Sequence, residues 1–100
     1  MAWQRVVKRT RPSVDVDWEP FSVDALNYVR TNYDNTGKRT SFSIVLSENA
    51  LEATYTSVYA DEATKNEFMT DSTILTEFRR RNAVNDGNNI TREVISDAEI

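Results

Sequence analysis

Hydrophobic and polar positions alternate in some stretches of this chain and recur at helical spacing in others. Trp3 to Thr10 is rich in β-branched and aromatic types and is closed by Pro12, which predicts a first strand. After a loop through Pro20, Ser22 is placed to cap a helix with Asp24 in its first turn. Phe21 and Leu26 fit a hydrophobic staple, Leu26, Val29 and Tyr33 form one stripe, and Gly37 suits a left-handed cap, so the helix should end near Thr36. Phe42, Ile44 and Leu46 then alternate with Ser41, Ser43, Val45 and Ser47, the period of a strand with one dry face. Glu48 and Asn49 supply a turn into a third strand, Leu51 to Tyr59, and the two strands read as a hairpin. Asp61 caps a second helical region, Asp71 caps a restart, and Ile74, Leu75 and Phe78 recur at helical spacing. The turn-rich stretch Asn85 to Asn89 leads to a last strand, Ile90 to Ile95, and a polar tail from Ser96.

The order strand, helix, strand, strand, helix, strand over residues 1–100 predicts one α+β domain of the ferredoxin-like kind, βαββαβ. Right-handed crossovers put both helices on one face of a four-stranded antiparallel sheet and leave the other bare. Ser41, Ser43 and Ser47 suit a face turned to water, whereas Trp3, Val7 and Val45 call for cover, and a second copy would provide it. A homodimer is therefore expected.

Composition narrows the chemistry. The chain has no Cys and no His, which removes thiolate and imidazole chemistry and zinc sites of the usual kind, and its two glycines make no phosphate-cradling loop. No metal and no cofactor are expected. A net charge of −4 argues against nucleic acid as a partner. No run approaches the roughly 18 apolar residues of a membrane span, and the N-terminus lacks a signal-peptide core, so no membrane association and a cytoplasmic location are expected. Asn89-Ile90-Thr91 matches a glycosylation acceptor but has no secretion signal to serve it.

Charge is uneven along the chain. Arg5, Lys8, Arg9 and Arg11 precede Asp15, Asp17, Glu19 and Asp24, and these blocks are suited to pair. If extended, Asp15, Asp17 and Glu19 line up like part of a hard-cation site, although a solvated loop explains them with fewer assumptions. Arg79, Arg80 and Arg81 are of the type that grips phosphate, but a place near a helix C-terminus accounts for them through the macrodipole. The candidate ligand-binding residues are Trp3, Arg5 and Arg9. With Val7 they share one parity and so one face, where an aromatic platform beside guanidinium groups suits a small aromatic or anionic ligand. The competing explanation has Trp3 filling a dimer interface while Arg5 and Arg9 pair with acids such as Glu93.

The element order, with Ser57-Val58-Tyr59-Ala60-Asp61-Glu62-Ala63 leading into Phe68, Asp71 and Phe78, resembles the dimeric α+β barrel superfamily and its antibiotic-biosynthesis-monooxygenase-like group. The resemblance implies two ferredoxin-like subunits packed through their sheets, with a small molecule bound between sheet and helices. Many members offer a His in the second helix where Phe68 stands here, which sets this chain apart from the haem-degrading relatives. Its Asn- and Thr-rich composition and the opening Trp3-Gln4-Arg5 also resemble small bacteriophage proteins. The expected function is a homodimeric binding or interaction module without catalysis. The alternative is a cofactor-independent monooxygenase or isomerase acting on a small aromatic molecule in the sheet–helix cleft, with tyrosines or a displaced carboxylate doing the proton transfer.

Overall fold

The computed structural model describes residues 1–100. Its elements are β1 (Trp3–Thr10), α1 (Val23–Val29) continuing into a π-helical turn (Arg30–Asp34), β2 (Arg39–Leu46), β3 (Glu52–Tyr59), α2 (Glu62–Thr70), α3 (Ser72–Gly87) and β4 (Thr91–Glu99). The strands form one antiparallel sheet in the order β2-β3-β1-β4, an α+β arrangement. No helix is long and apolar enough to cross a membrane.

Local chemistry places the helix starts where the caps stand. The Ser22 hydroxyl accepts from the Ala25 N–H, Asp61 accepts from Thr64 N–H, and Asp71 accepts from the Thr73 and Ile74 N–H groups. Each satisfies donors that a helix end leaves unpaired, typically for about 1 kcal/mol. Asp71 also accepts from the Tyr28 and Tyr33 hydroxyls at 2.7 and 2.8 Å, tying α1 to the α2–α3 junction. Gly37 has φ +78°, the left-handed conformation that glycine adopts without a Cβ penalty.

The core is aromatic. Val29, Tyr33, Tyr59, Phe68 and Ile74 are buried together, with Trp3, Phe21, Tyr28, Met69 and Phe78 packed against them. Phe68 fills its centre, edge-on to Tyr33 at 4.9 Å and tilted to Tyr59 at 5.3 Å. Phe21 does not staple to Leu26, which is exposed; it lies edge-on to Phe78 of α3 at 5.3 Å, and Ala25 takes the inward place.

Register decides which strand residues meet this core. Trp3 faces Tyr59, Arg5 faces Ser57, Val7 faces Tyr55 and Arg9 faces Ala53, and this set lies on the helix side. Trp3 and Val7 are therefore not on the bare face, where the need for cover had placed them. That face carries Val6, Val45 and Val58 among Ser41, Ser43, Thr54 and Thr56. Phe42, Ile44 and Leu46 take the helix side of β2, yet their row is not dry: they are 45%, 53% and 51% exposed, because β2 is an edge strand.

The chain after Ile95 is strand rather than tail. β4 runs to Glu99 and pairs with β1 along its whole length. A bulge lies at Ile95: Val7 faces Val94 while Val6 faces Ser96. One extra residue reverses the side-chain parity, so Arg92 and Val94 before it and Asp97 after it all turn toward the helices.

Candidate functional site

The row Trp3, Arg5, Val7, Arg9 runs beneath the helices, and its two ends have different surroundings. At the Trp3 end, Asp97 accepts from the Trp3 indole N–H and from Arg5 Nη1 at 2.9 Å, and Lys65 Nζ of α2 stands 3.7 Å away. Lys65 also lies 5.0 Å from the Trp3 ring centroid, a cation–π distance. Burial alone would raise the Asp97 carboxyl, but the Trp3 hydrogen bond and the charges of Lys65 and Arg5 outweigh it and hold the group below its ordinary value. The aromatic platform and its guanidinium are thus occupied by the protein's own acid. That acid is Asp97, on the segment whose sequence reads as a polar tail, and the bulge at Ile95 aims it.

At the other end Arg9 is 4% exposed and meets no acid. Its two Nη atoms reach only Asn82 Oδ1 on α3, each at 3.4 Å, and its guanidinium lies 5.4 Å from the Tyr55 ring centroid. Arg92 on β4 stands directly opposite Arg9 in the sheet register. Arg81 of α3 stacks against Phe21 and Phe78, at 4.5 and 5.2 Å to the ring centroids, and its buried Nε has no hydrogen-bond partner. None of these three arginines is within ion-pair distance of a carboxylate. Burial lowers both Arg9 and Arg81 from the usual guanidinium value. For Arg81 burial is joined by the charges of Arg9 and Arg92, bringing it to about 10; Arg92 also lowers Arg9. Tyr55 at both, with Asp86 at Arg9 and Glu77 at Arg81, only partly offsets this.

The expected pairing of Arg9 with an acid is not made, and Glu93, the acid named for it, pairs in register with Lys8 on the bare side. Lys8 itself bridges to Glu52 at 2.9 Å, and Arg11 donates to the carbonyls of Ala50 and Val16, so the basic strand does not pair with the acidic block after it. Residues 11–22 form no strand, with bends or turns at 12 and 14–16, and Glu19 pairs with Arg80 at 3.0 Å. No three Asp or Glu side chains converge as a metal-binding group.

Arg79, Arg80 and Arg81 lie in the middle of α3, which continues to Gly87, so the macrodipole does not explain them. Arg80 pairs with Glu77 and Glu19 and donates to the Pro20 carbonyl, while Glu77 accepts from the backbone N–H and hydroxyl of Ser22. This network fastens the loop before α1 onto α3. A polar groove of about 570 Å³ between α1 and α3, lined by Ser22, Asp24, Tyr28, Thr73, Thr76 and Glu77 among others, contains none of Trp3, Arg5 or Arg9.

Of the arginine cluster, the sequence marks Arg9 as a ligand-binding candidate and Arg81 only within the run Arg79 to Arg81, of phosphate-gripping type but assigned to the helix macrodipole; it does not single out Arg92. Arg92 joins through β1–β4 register and Arg81 through the phase of α3 over the sheet, neither of which a local pattern contains. No protein-family model matches this chain, and no curated protein matches it. Among solved structures it is similar to one titled "Structure of Rv0793 from Mycobacterium tuberculosis", 12% identical, with a TM-score of 0.49, covering 98% of this chain and 97% of that one.

Proposed function

We propose that this chain is a cytoplasmic binding or interaction module of the ferredoxin-like, dimeric α+β barrel kind, working as a homodimer and without catalysis. The observation that carries this reading is the one-sided sheet: helices pack on the side of Trp3 and Tyr59, and Val6, Val45 and Val58 stand on the other among serines, threonines and the charged Lys8, Glu52 and Glu93. Four strands of this length present roughly 500 Å² in projection, using a rise of about 3.4 Å per residue and a spacing of about 4.8 Å. That is a substantial part of the roughly 800 Å² per partner that stable interfaces bury. A second copy, sheet to sheet, covers the three valines by symmetry.

The carboxylates favour binding over catalysis. Burial would raise Asp71, Glu77 and Asp97, but donors outweigh it in each: Tyr28 and Tyr33 at Asp71, Arg80 and Ser22 at Glu77, Trp3 with Lys65 and Arg5 at Asp97. All three are held below their ordinary values, the opposite of what a general base or acid near neutral pH requires. This weighs against the cofactor-independent monooxygenase or isomerase alternative.

Light scattering coupled to size exclusion tests the assembly. The wild type should run at twice the chain mass. Val45→Lys, at a position 62% exposed in the single chain, should run at the chain mass with its fold intact. A monomeric wild type at tens of micromolar would remove the homodimer.

A further inference from the structure

Arg9 stands opposite Arg92 in the sheet register and reaches Asn82, the neighbour of Arg81 on α3, so the fold gathers three arginines with no carboxylate within ion-pair distance. Such an arrangement is costly. Like charges brought together in a partly desolvated place repel, and a buried guanidinium normally has a carboxylate partner. Elsewhere Arg5 pairs with Asp97, Arg39 with Asp34 at 2.7 Å and Arg80 with Glu19 at 3.0 Å, and the half-buried Arg11 donates to two backbone carbonyls. At the exception, Arg9 is 4% exposed with only a long contact to the Asn82 amide oxygen, and Arg81 Nε is buried and unpartnered. Arg92, on edge strand β4, is exposed and opens the cluster to solvent.

We propose that the Arg9–Arg81–Arg92 cluster is an anion site for the phosphoryl group of a small molecule. A doubly charged, tetrahedral oxyanion matches the cluster better than a monocarboxylate. It offers more acceptor oxygens and more charge to three guanidinium groups that have no carboxylate within ion-pair distance, and an exposed guanidinium such as that of Arg92 can donate to phosphate in bidentate fashion. Arg92 contacts the anion first, and Arg9 and Arg81 supply the field behind it. Tyr55 and Asn82 hold Arg9 in place from the sheet and from α3. The inference rests on the reading of the chain as a binding module, but it does not require the second copy.

The test is thermal melting at pH 7 and fixed ionic strength in sodium chloride, sodium benzoate, inorganic phosphate and glycerol 2-phosphate. Size exclusion on the same samples reports the oligomeric state separately, so a monomer that keeps the phosphate response upholds this site while removing the homodimer. With a dissociation constant of about 1 mM, 10 mM phosphate should raise Tm by about 5 °C or more over chloride. Benzoate should give less than phosphate, and the larger of the two phosphate responses names the free ion or the ester as the better ligand. Arg92→Gln, an exposed substitution, should abolish the increment, while Arg79→Gln, also exposed on the same face-changing run of arginines, should keep it. A phosphate response no larger than that of chloride, one unchanged in Arg92→Gln, or a larger response to benzoate would each overturn the proposal.

Discussion

Two ends of one strand face carry the same ingredients and reach opposite electrostatic outcomes. At the Trp3 end, an indole, Arg5 and Lys65 converge on Asp97, which accepts from two of them and stands within ion-pair distance of the third. At the Arg9 end, Tyr55, Asn82, Arg81 and Arg92 surround a buried guanidinium and provide no carboxylate in contact. The divergence originates in β4. Without the bulge at Ile95, Asp97 would take the parity of Glu93 and turn to the bare side, leaving both ends of the row unneutralised. The bulge neutralises one end and leaves the other, so the unpaired charge is a localised property of the Arg9 end rather than of the strand.

The largest expected effect comes from removing what completes the first end. Asp97→Ala leaves Trp3 Nε1 and two cations without their acceptor; with the group partly exposed, the loss should be about 1–2 kcal/mol in urea unfolding. Next is a change that makes the second end resemble the first. Arg92→Glu places an acid opposite Arg9 in register and should raise stability by about 0.5–1 kcal/mol, while eliminating any phosphate response. A melting temperature that falls instead would show that Arg92 is already compensated. The smallest contrast is in pH. Asp97 has its folded-state value held below the unfolded one, so the stability it contributes is present above about pH 4 and is lost as pH falls through the folded value. Asp97→Ala should therefore flatten part of the acid limb of a stability–pH curve, whereas Arg92→Gln should leave that limb unchanged.

What the sequence made legible follows from the range of the signals. Caps and alternation are local, and Ser22, Asp61 and Asp71 start their helices as their side chains dictate, while β1 occupies Trp3–Thr10. The shared face of Trp3, Arg5, Val7 and Arg9 is equally local and is present in the fold. What each of them touches is not local. Asp97 was hidden because its strand reads as a polar tail until it is paired with β1, and a bulge leaves no mark in an alternating pattern. The apolar row of Phe42, Ile44 and Leu46 implied burial, but its exposure depends on β2 being an edge, a matter of strand order. Arg81 is indistinguishable in sequence from Arg79 and Arg80; only the rotation of α3 gives Arg81 its place against Phe21 and Phe78, gives the exposed Arg80 Glu19 and Glu77, and leaves Arg79 exposed with no ion pair.

The asymmetry of the row is tested most directly by equilibrium urea unfolding of Arg5→Met and Arg9→Met at low, fixed salt. Methionine keeps much of the apolar stem volume and removes the charge at either place. The account predicts opposite signs: Arg5→Met loses about 1 kcal/mol with its Asp97 contact, and Arg9→Met gains about 1 kcal/mol by removing an unpaired buried cation. If Arg9→Met is destabilised as much as Arg5→Met, the guanidinium of Arg9 is satisfied within the fold and the account of an uncompensated end is contradicted.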